Sequence, residues 1–443
     1  MMPLDLPLDT PGSDLVLDAE AGIRRSLLPG GVRLLTQTDR SVRSASVGFW
    51  LPVGSRDESP QHAGSTHVLE HLLFKGTDRR SAMDIAAAFD EVGGESNAVT
   101  AKEHTFYYGR VRSTDVPMAV DVLTDMITSS RLADEALETE REVILEELAM
   151  AADDPGDIGY ETFLEQVIGP GTALGRPVGG TAETVSALGG ADVRDHYRQH
   201  YRPDTLVVTA VGDVDHDGLR DLVLERLAAG GWELPDSAAP APRPAPADLP
   251  ERDGTAQVLD LAPHRLVRDT EQVHVYLGGP GLSATDPARH TMNVLMSILG
   301  GGMSSRLFQH IREERGLAYS VYSFSGGYRE AGLFGLYAAC RPSRTEEVVA
   351  LLREELAELG RTGPTPEEMR RALGQITGSL ALGLEDTTSR MGRLSSTELI
   401  HGRYASVDET ISRIAAVTEH DVRELAERLA GSFTTRVDIG PAA

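Results

Sequence analysis

The chain has 443 residues, enough for two to four domains at about 100–200 residues each. Apolar residues make up 40% and charged residues 25%, which allows a real core and argues against disorder. With 68 acidic residues against 42 basic ones, the formal net charge is −26, the wrong sign for neutralising nucleic-acid phosphates. The one cysteine, Cys340, excludes a disulfide framework and any cysteine-cluster metal site.

Met1 to Glu20 carries Asp5, Asp9, Asp14, Asp18 and Glu20 and no positive residue, the opposite of a secretory or transit peptide. No apolar run approaches the roughly 20 residues of a membrane helix. A soluble cytoplasmic protein, with neither nucleic acid nor membrane as partner, is expected. Arg outnumbers Lys 40 to 2, only Lys75 and Lys102 occurring, which reads as a genome-wide composition rather than as function.

In chain order, Val32–Thr38 and Ser44–Val53 have strand character, Ser65–Lys75 and Ala82–Val92 helical character, and Ser96–Thr100 and Thr105–Val111 strand character again. Helices are expected over Val116–Ile127, Ala133–Ala151, Asp157–Ile168 and Asp192–His200, then a β-branched strand over Thr205–Val211. Residues 237–254, SAAPAPRPAPADLPERDG, form a Pro/Ala-rich linker. Beyond it the order repeats: a strand at Val273–Gly278, helices at Arg289–Leu299 and Ser305–Glu314, strands at Ala318–Ser323 and Gly332–Ala339, a helix-rich stretch from Thr345 to Leu429, and a closing strand at Thr434–Ile439. The expected organisation is a diverged duplication, with domains at 1–236 and 255–443 joined by 237–254. Each domain is α+β, a mostly antiparallel sheet with helices packed on one side.

One constellation dominates the chemistry. His67-Val-Leu-Glu70-His71 lies on a predicted helix, where positions i and i+4 share a face and i+3 lies beside them. Two imidazoles so placed suit a tetrahedral Zn²⁺ site with the Glu as general base, and His-x-x-Glu-His is the inverted form of the commoner zinc-protease helix motif. The bland alternative is two surface histidines beside a core stripe of Val68, Leu69, Leu72 and Leu73. A catalytic zinc needs a third protein ligand. The best source is the helix around Glu138–Glu147, where Glu140 and Glu147, at i and i+7, flank the buried stripe marked by Val143 and Ile144. A carboxylate turned toward a buried stripe needs a partner. Gly93-Gly-Glu-Ser-Asn97-Ala98-Val99-Thr100 reads either as an ordinary hairpin strand or as an exposed edge able to pair with an extended peptide. His62, His104, His196 and His200 are read as structural or exposed. Gly300–Gly302 fits no nucleotide fingerprint.

His67–His71, continued by Leu-Leu-Phe-Lys-Gly-Thr77, resembles the active-site helix of the pitrilysin, insulin-degrading enzyme and mitochondrial processing peptidase family. In that family a ligand Glu follows the second His after about 76 residues in a Val-Ile-Leu-x-Glu context, and Glu147 stands 76 positions after His71 in Val143-Ile-Leu-Glu-Glu147. The resemblance, which covers the chain from about Val32 onward, implies zinc binding by His67, His71 and Glu147, Glu70 as the base, and Glu140 as the supporting acidic residue. It implies that substrate lies along Asn97, Ala98, Val99 and Thr100. Ile311–Tyr322 resembles the family's C-terminal signature, with Arg312 and Tyr319 matching residues that reach the substrate carbonyl. Asn293, Met296 and Ser297 stand where the second half would need His, Glu and His, so one zinc per chain is expected. The resemblance implies a zinc metalloendopeptidase built as half of a clamshell, two chains enclosing a chamber as a homodimer or with a related partner. The alternative is a non-catalytic peptide-binding or partner subunit of the same family.

Overall fold

The computed structural model describes residues 4–244 and 262–442. Its strands in chain order are β1 (Leu4–Asp5), β2 (Asp14–Asp18), β3 (Ile23–Leu27), β4 (Arg33–Thr38), β5 (Ser44–Leu51), β6 (Glu95–Thr100), β7 (Thr105–Arg112), β8 (Val207–Gly212), β9 (His264–Val267), β10 (Val273–Pro280), β11 (Ala318–Gly327), β12 (Gly332–Cys340), β13 (Arg403–Tyr404) and β14 (Thr435–Gly440). The helices are α1 (Ser65–Leu73), α2 (Ala82–Asp90), α3 (Val116–Ser129), α4 (Asp134–Asp153), α5 (Pro155–Ile168), α6 (Ala182–Ala187), α7 (Gly190–His200), α8 (His216–Ala229), α9 (Arg289–Gly300), α10 (Thr345–Thr362), α11 (Pro366–Gly383), α12 (Thr387–Ser396), α13 (Val407–Ala415) and α14 (Glu419–Ala430). The stretch expected as a helix over Ser305–Glu314 is wound in wide π turns at Phe308–Glu313. No helix among the described residues is long and apolar enough to cross a membrane.

The first unit is built on a seven-stranded sheet in the order β2-β3-β4-β8-β5-β7-β6. Strand alternation sends Ala45, Val47, Phe49 and Leu51 of β5 to one face, where they meet Val68, Leu69, Leu72 and Leu73 of α1 and Ala119, Val120 and Leu123 of α3 in one core. The second unit is built on a five-stranded sheet in the order β11-β12-β10-β14-β9. The five strands β6-β7-β5-β8-β4 and β11-β12-β10-β14-β9 share both order and direction, since β4–β8 and β14–β9 are parallel and the other pairs antiparallel. The duplication is therefore a property of the fold.

The expected boundaries at 1–236 and 255–443 need correcting. The first compact unit comprises Met1–Leu148, Arg176–Pro244 and Leu382–Ser406, and the second Ala149–Gly175, Ala245–Ala381 and Val407–Ala443. The halves of the chain exchange a helix because each sheet has a second apolar face. In the first unit Leu35, Trp50, Val207 and Val211 are covered by Met391 and Leu394 of α12. Gly48 makes room for this layer, since a Cβ there would stand 2.9 Å from Met391 Sδ. In the second unit Phe163, Leu164 and Val167 of α5 cover Tyr276, Leu333, Tyr337, Val437 and Ile439. Of the linker expected at 237–254, residues 245–254 lie outside the described residues. Its start is pinned to the first unit, where Ala241 N–H donates to Asp204 O at 2.8 Å.

A buried ion cluster holds the returning segment 382–406 in place. Glu398 is fully buried, accepts from Arg25 Nε at 2.7 Å and Arg243 Nη2 at 2.8 Å, and lies 3.7 Å from Arg33 Nη1. Removing one member of a buried pair leaves its partners charged and uncompensated. Glu398→Gln is expected to destabilise the first unit by about 3–5 kcal/mol, read as a lowered denaturant midpoint with an unchanged native spectrum. A midpoint equal to wild type would contradict the clamp.

Candidate metal centre

α1 is preceded by its N-cap residue Gly64, whose φ of +97° suits glycine and which offers no side-chain cap. Glu58 supplies one from outside: its carboxylate accepts from Gly64 N–H at 2.8 Å and Thr66 N–H at 2.6 Å. Burial raises its pKa to about 6 against the lowering effect of these hydrogen bonds. The helix is thus started firmly one turn ahead of His67. Val68, Leu69, Leu72 and Leu73 are buried, which fixes its rotation and leaves His67, Glu70 and His71 on the half-exposed side.

α4 supplies the carboxylates. Its buried residues are Leu137, Glu140 and Ile144, spaced by three and four as for one helical face. Val143, expected in that stripe, is instead exposed. Glu147 continues the stripe by one turn beyond Ile144, at the end where the core gives out.

The structure brings His67, His71 and Glu147 together, with one ligand atom from each lying within 4.8 Å of the others. Glu147 Oε2 stands 3.8 Å from His67 Nε2 and 3.6 Å from His71 Nε2. Both separations exceed hydrogen-bonding distance. They approach the ~3.3 Å edge of a tetrahedron with Zn–N and Zn–O bonds near 2.0–2.1 Å. The imidazole planes are nearly perpendicular, at 77°. Burial is the main influence lowering the pKa of His67, helped by the proximity of His71 and opposed by Glu70 and Glu147. A neutral imidazole is what a metal needs. The donor set, two imidazoles and one carboxylate with Glu147 half exposed, fits an ion that keeps a position open to solvent. Among the described residues, His67 Nδ1 is buried without a hydrogen-bond partner.

The other site residues of the first unit adjoin this cluster. Glu140, only 4% exposed, has Oε2 3.0 Å from His71 Nδ1. With that nitrogen carrying the proton, Nε2 is left as the lone-pair donor facing Glu147. Glu70 accepts a hydrogen bond from the Thr100 hydroxyl. Asn97, Ala98, Val99 and Thr100 lie on β6, the edge strand of the sheet. Asn97 and Val99 are exposed, whereas Ala98 is buried.

Arg312 and Tyr319 belong to the second unit. Arg312 sits on the π turn with its guanidinium carbon 4.6 Å from the Phe308 ring centroid and 4.7 Å from that of Tyr319. Tyr319 is 75% exposed and lies on β11, the topological counterpart of β6. α9 carries Asn293, Met296 and Ser297, the Ser297 hydroxyl donating to Gln375, and among the described residues no metal-binding trio is formed there.

Sequence reasoning missed three contributors. Lys75 Nζ lies 2.7 Å from Glu140 Oε1. Glu58 caps α1. Lys102 donates to the backbone oxygen of Arg176, tying the β6–β7 turn to the loop 175–181, whose Gly179 packs near His67. The available signal was compositional: the chain's two lysines are both here.

Comparison with known proteins adds the family context. Residues 33–182 match the family described as insulinase (peptidase family M16), and residues 188–376 match the peptidase M16 inactive domain. An uncharacterized zinc protease of Streptomyces coelicolor is 50% identical over 420 residues, 95% of this chain and 90% of its own length. An uncharacterized zinc protease of Bacillus subtilis is 35% identical over 409 residues, 92% of this chain and 95% of its own. Among solved structures, a peptidase M16 inactive domain from Pseudomonas fluorescens has a TM-score of 0.84 at 18% identity, covering 95% of this chain and 98% of that one. A protease from Helicobacter pylori has a TM-score of 0.83 at 20% identity, covering 95% and 99%. At such identities the structural likeness speaks to fold.

Proposed function

This chain belongs to peptidase family M16, and from that premise we propose that it is a zinc-dependent endopeptidase of extended peptides. The observation that carries the reading is the convergence of His67, His71 and Glu147 with Glu70 on the same helix turn. One zinc per chain, held by those three residues, supplies Lewis-acid polarisation of water and of the scissile carbonyl. Glu70 takes the proton from the attacking water and passes it to the leaving nitrogen, and the Thr100 hydroxyl holds the carboxylate for this task. Glu140 orients His71. In the two-chain assembly that the family resemblance implies, Arg312 and Tyr319 would donate hydrogen bonds to the developing oxyanion at the opposite chain's metal site. The substrate backbone pairs with Asn97–Thr100 as an added strand.

The reading extends to two such chains, alike or related, enclosing a cytoplasmic chamber that admits unfolded peptides. The family context and the open edge of β6 support the peptide part of it. The test is cleavage of an internally quenched peptide by the purified chain with and without a chelator. Cleavage is expected to fall to background on chelation and to return with zinc. Cleavage indifferent to the chelator would sink the reading. Tight peptide binding at full zinc occupancy without cleavage would replace it with that of a non-catalytic subunit.

A further inference from the structure

Forty arginines and two lysines make lysine the rare cation of this chain. Lys75 stands just past the C-terminal end of α1, its backbone N–H donating to Leu72 O at 3.0 Å. Its ammonium is 2.7 Å from Glu140 Oε1, and the other oxygen of that carboxylate is 3.0 Å from His71 Nδ1. Glu140 thus has one oxygen for each partner, and both partners belong to the metal helix or its immediate extension.

An ammonium is a point charge that engages one oxygen. A guanidinium is a planar fork that favours both oxygens of a carboxylate at once. At Glu140 the second oxygen is already committed to His71, so an arginine here would compete for it and rotate the carboxylate away from the imidazole. A neutral residue would instead leave a carboxylate that is 4% exposed without its cation, and such a group has no reason to hold one orientation.

We propose that Lys75 is a positioning residue of the metal centre, and that it must be a lysine: its ammonium holds Glu140 by one oxygen so that the other is reserved for His71 Nδ1. The consequence for the metal is that His71 presents Nε2 toward Glu147 in a fixed tautomer and orientation. This rests on the assignment of His67, His71 and Glu147 as the zinc ligands, and it adds that the second cation in line with them is selected by shape as well as charge.

The test measures zinc affinity, by competition with a chromophoric chelator, in the full-length wild type, Lys75→Arg and Lys75→Met, with the thermal midpoint of the apoprotein as a control for folding. Loss of a partner to a ligating histidine costs about 10–100-fold in metal affinity. Both variants are expected to bind zinc that much more weakly; the apoprotein midpoint stays close to wild type in Lys75→Arg, which keeps the charge, and falls in Lys75→Met, which leaves the buried Glu140 carboxylate without its cation. Wild-type affinity in Lys75→Arg would overturn the proposal by showing that any cation serves. Wild-type affinity in Lys75→Met would overturn it by showing that none is needed. Because peptide cleavage is not the readout, a protein that binds zinc tightly but cleaves nothing would refute the peptidase reading alone. A wild type that binds no zinc would overturn the ligand assignment and this proposal with it.

Discussion

Glu70→Gln is expected to lower kcat for peptide cleavage by about a hundred- to ten-thousand-fold, the range that general acid–base catalysis contributes. The substitution is isosteric, and the amide oxygen still accepts the hydrogen bond that Thr100 donates to Glu70. Neither α1 nor the edge strand has cause to move. The amide cannot accept a proton from water at neutral pH, so the loss falls on the chemical step. KM should change little, and zinc content should be that of wild type. Steady-state kinetics with metal analysis of the same preparation check this. A variant retaining more than about a tenth of wild-type kcat would remove Glu70 from the role of base.

The second large effect is expected at the ligands. His71→Ala removes the residue that touches both sides of the centre, since its Nε2 faces Glu147 at 3.6 Å and its Nδ1 meets Glu140 at 3.0 Å. Zinc affinity should fall by more than about 100-fold, the upper end of what loss of an outer partner costs, and cleavage should fall to background. Glu140 and Lys75 would still satisfy each other, so the fold should survive. His67→Ala should behave in the same way. Excess zinc is expected to restore part of the activity in the ligand variants and none in Glu70→Gln. That contrast separates the residues that hold the ion from the residue that moves the proton. Restoration of Glu70→Gln by zinc would contradict the division of roles.

The sequence carries the core of the site because the metal cluster is encoded by local periodicity plus a single long separation. The spacing of His67, Glu70 and His71 dictates one face of one helix turn. Glu140 and Glu147 share a helix face by the same arithmetic. Val143 shows the limit of that arithmetic: adjacent residues lie about 100° apart, and only packing decides which of Val143 and Ile144 faces the core.

What escaped sequence reading depends on partners distant in the chain. Lys75 looks like any helix-terminal cation until Glu140 is placed beside it. The run Ile-Arg-Arg-Ser-Leu of β3 does not read as an interior strand, because the burial of Arg25 makes sense only with Glu398, 373 positions away. The exchange of α5 and α12 is invisible for a related reason. Periodicity reveals that a helix has an apolar face; it does not say which of two similar sheets that face covers.

The central claim is that two imidazoles and a distant carboxylate share one zinc ion. The most direct measurement is the zinc K-edge X-ray absorption spectrum of the protein as purified, normalised to zinc content per chain. About one zinc per chain is expected, with a nitrogen and oxygen shell near 2.0–2.2 Å and outer-shell scattering from two imidazoles, one of them lost in His71→Ala. A zinc-free protein, or a spectrum with no imidazole contribution, would contradict it.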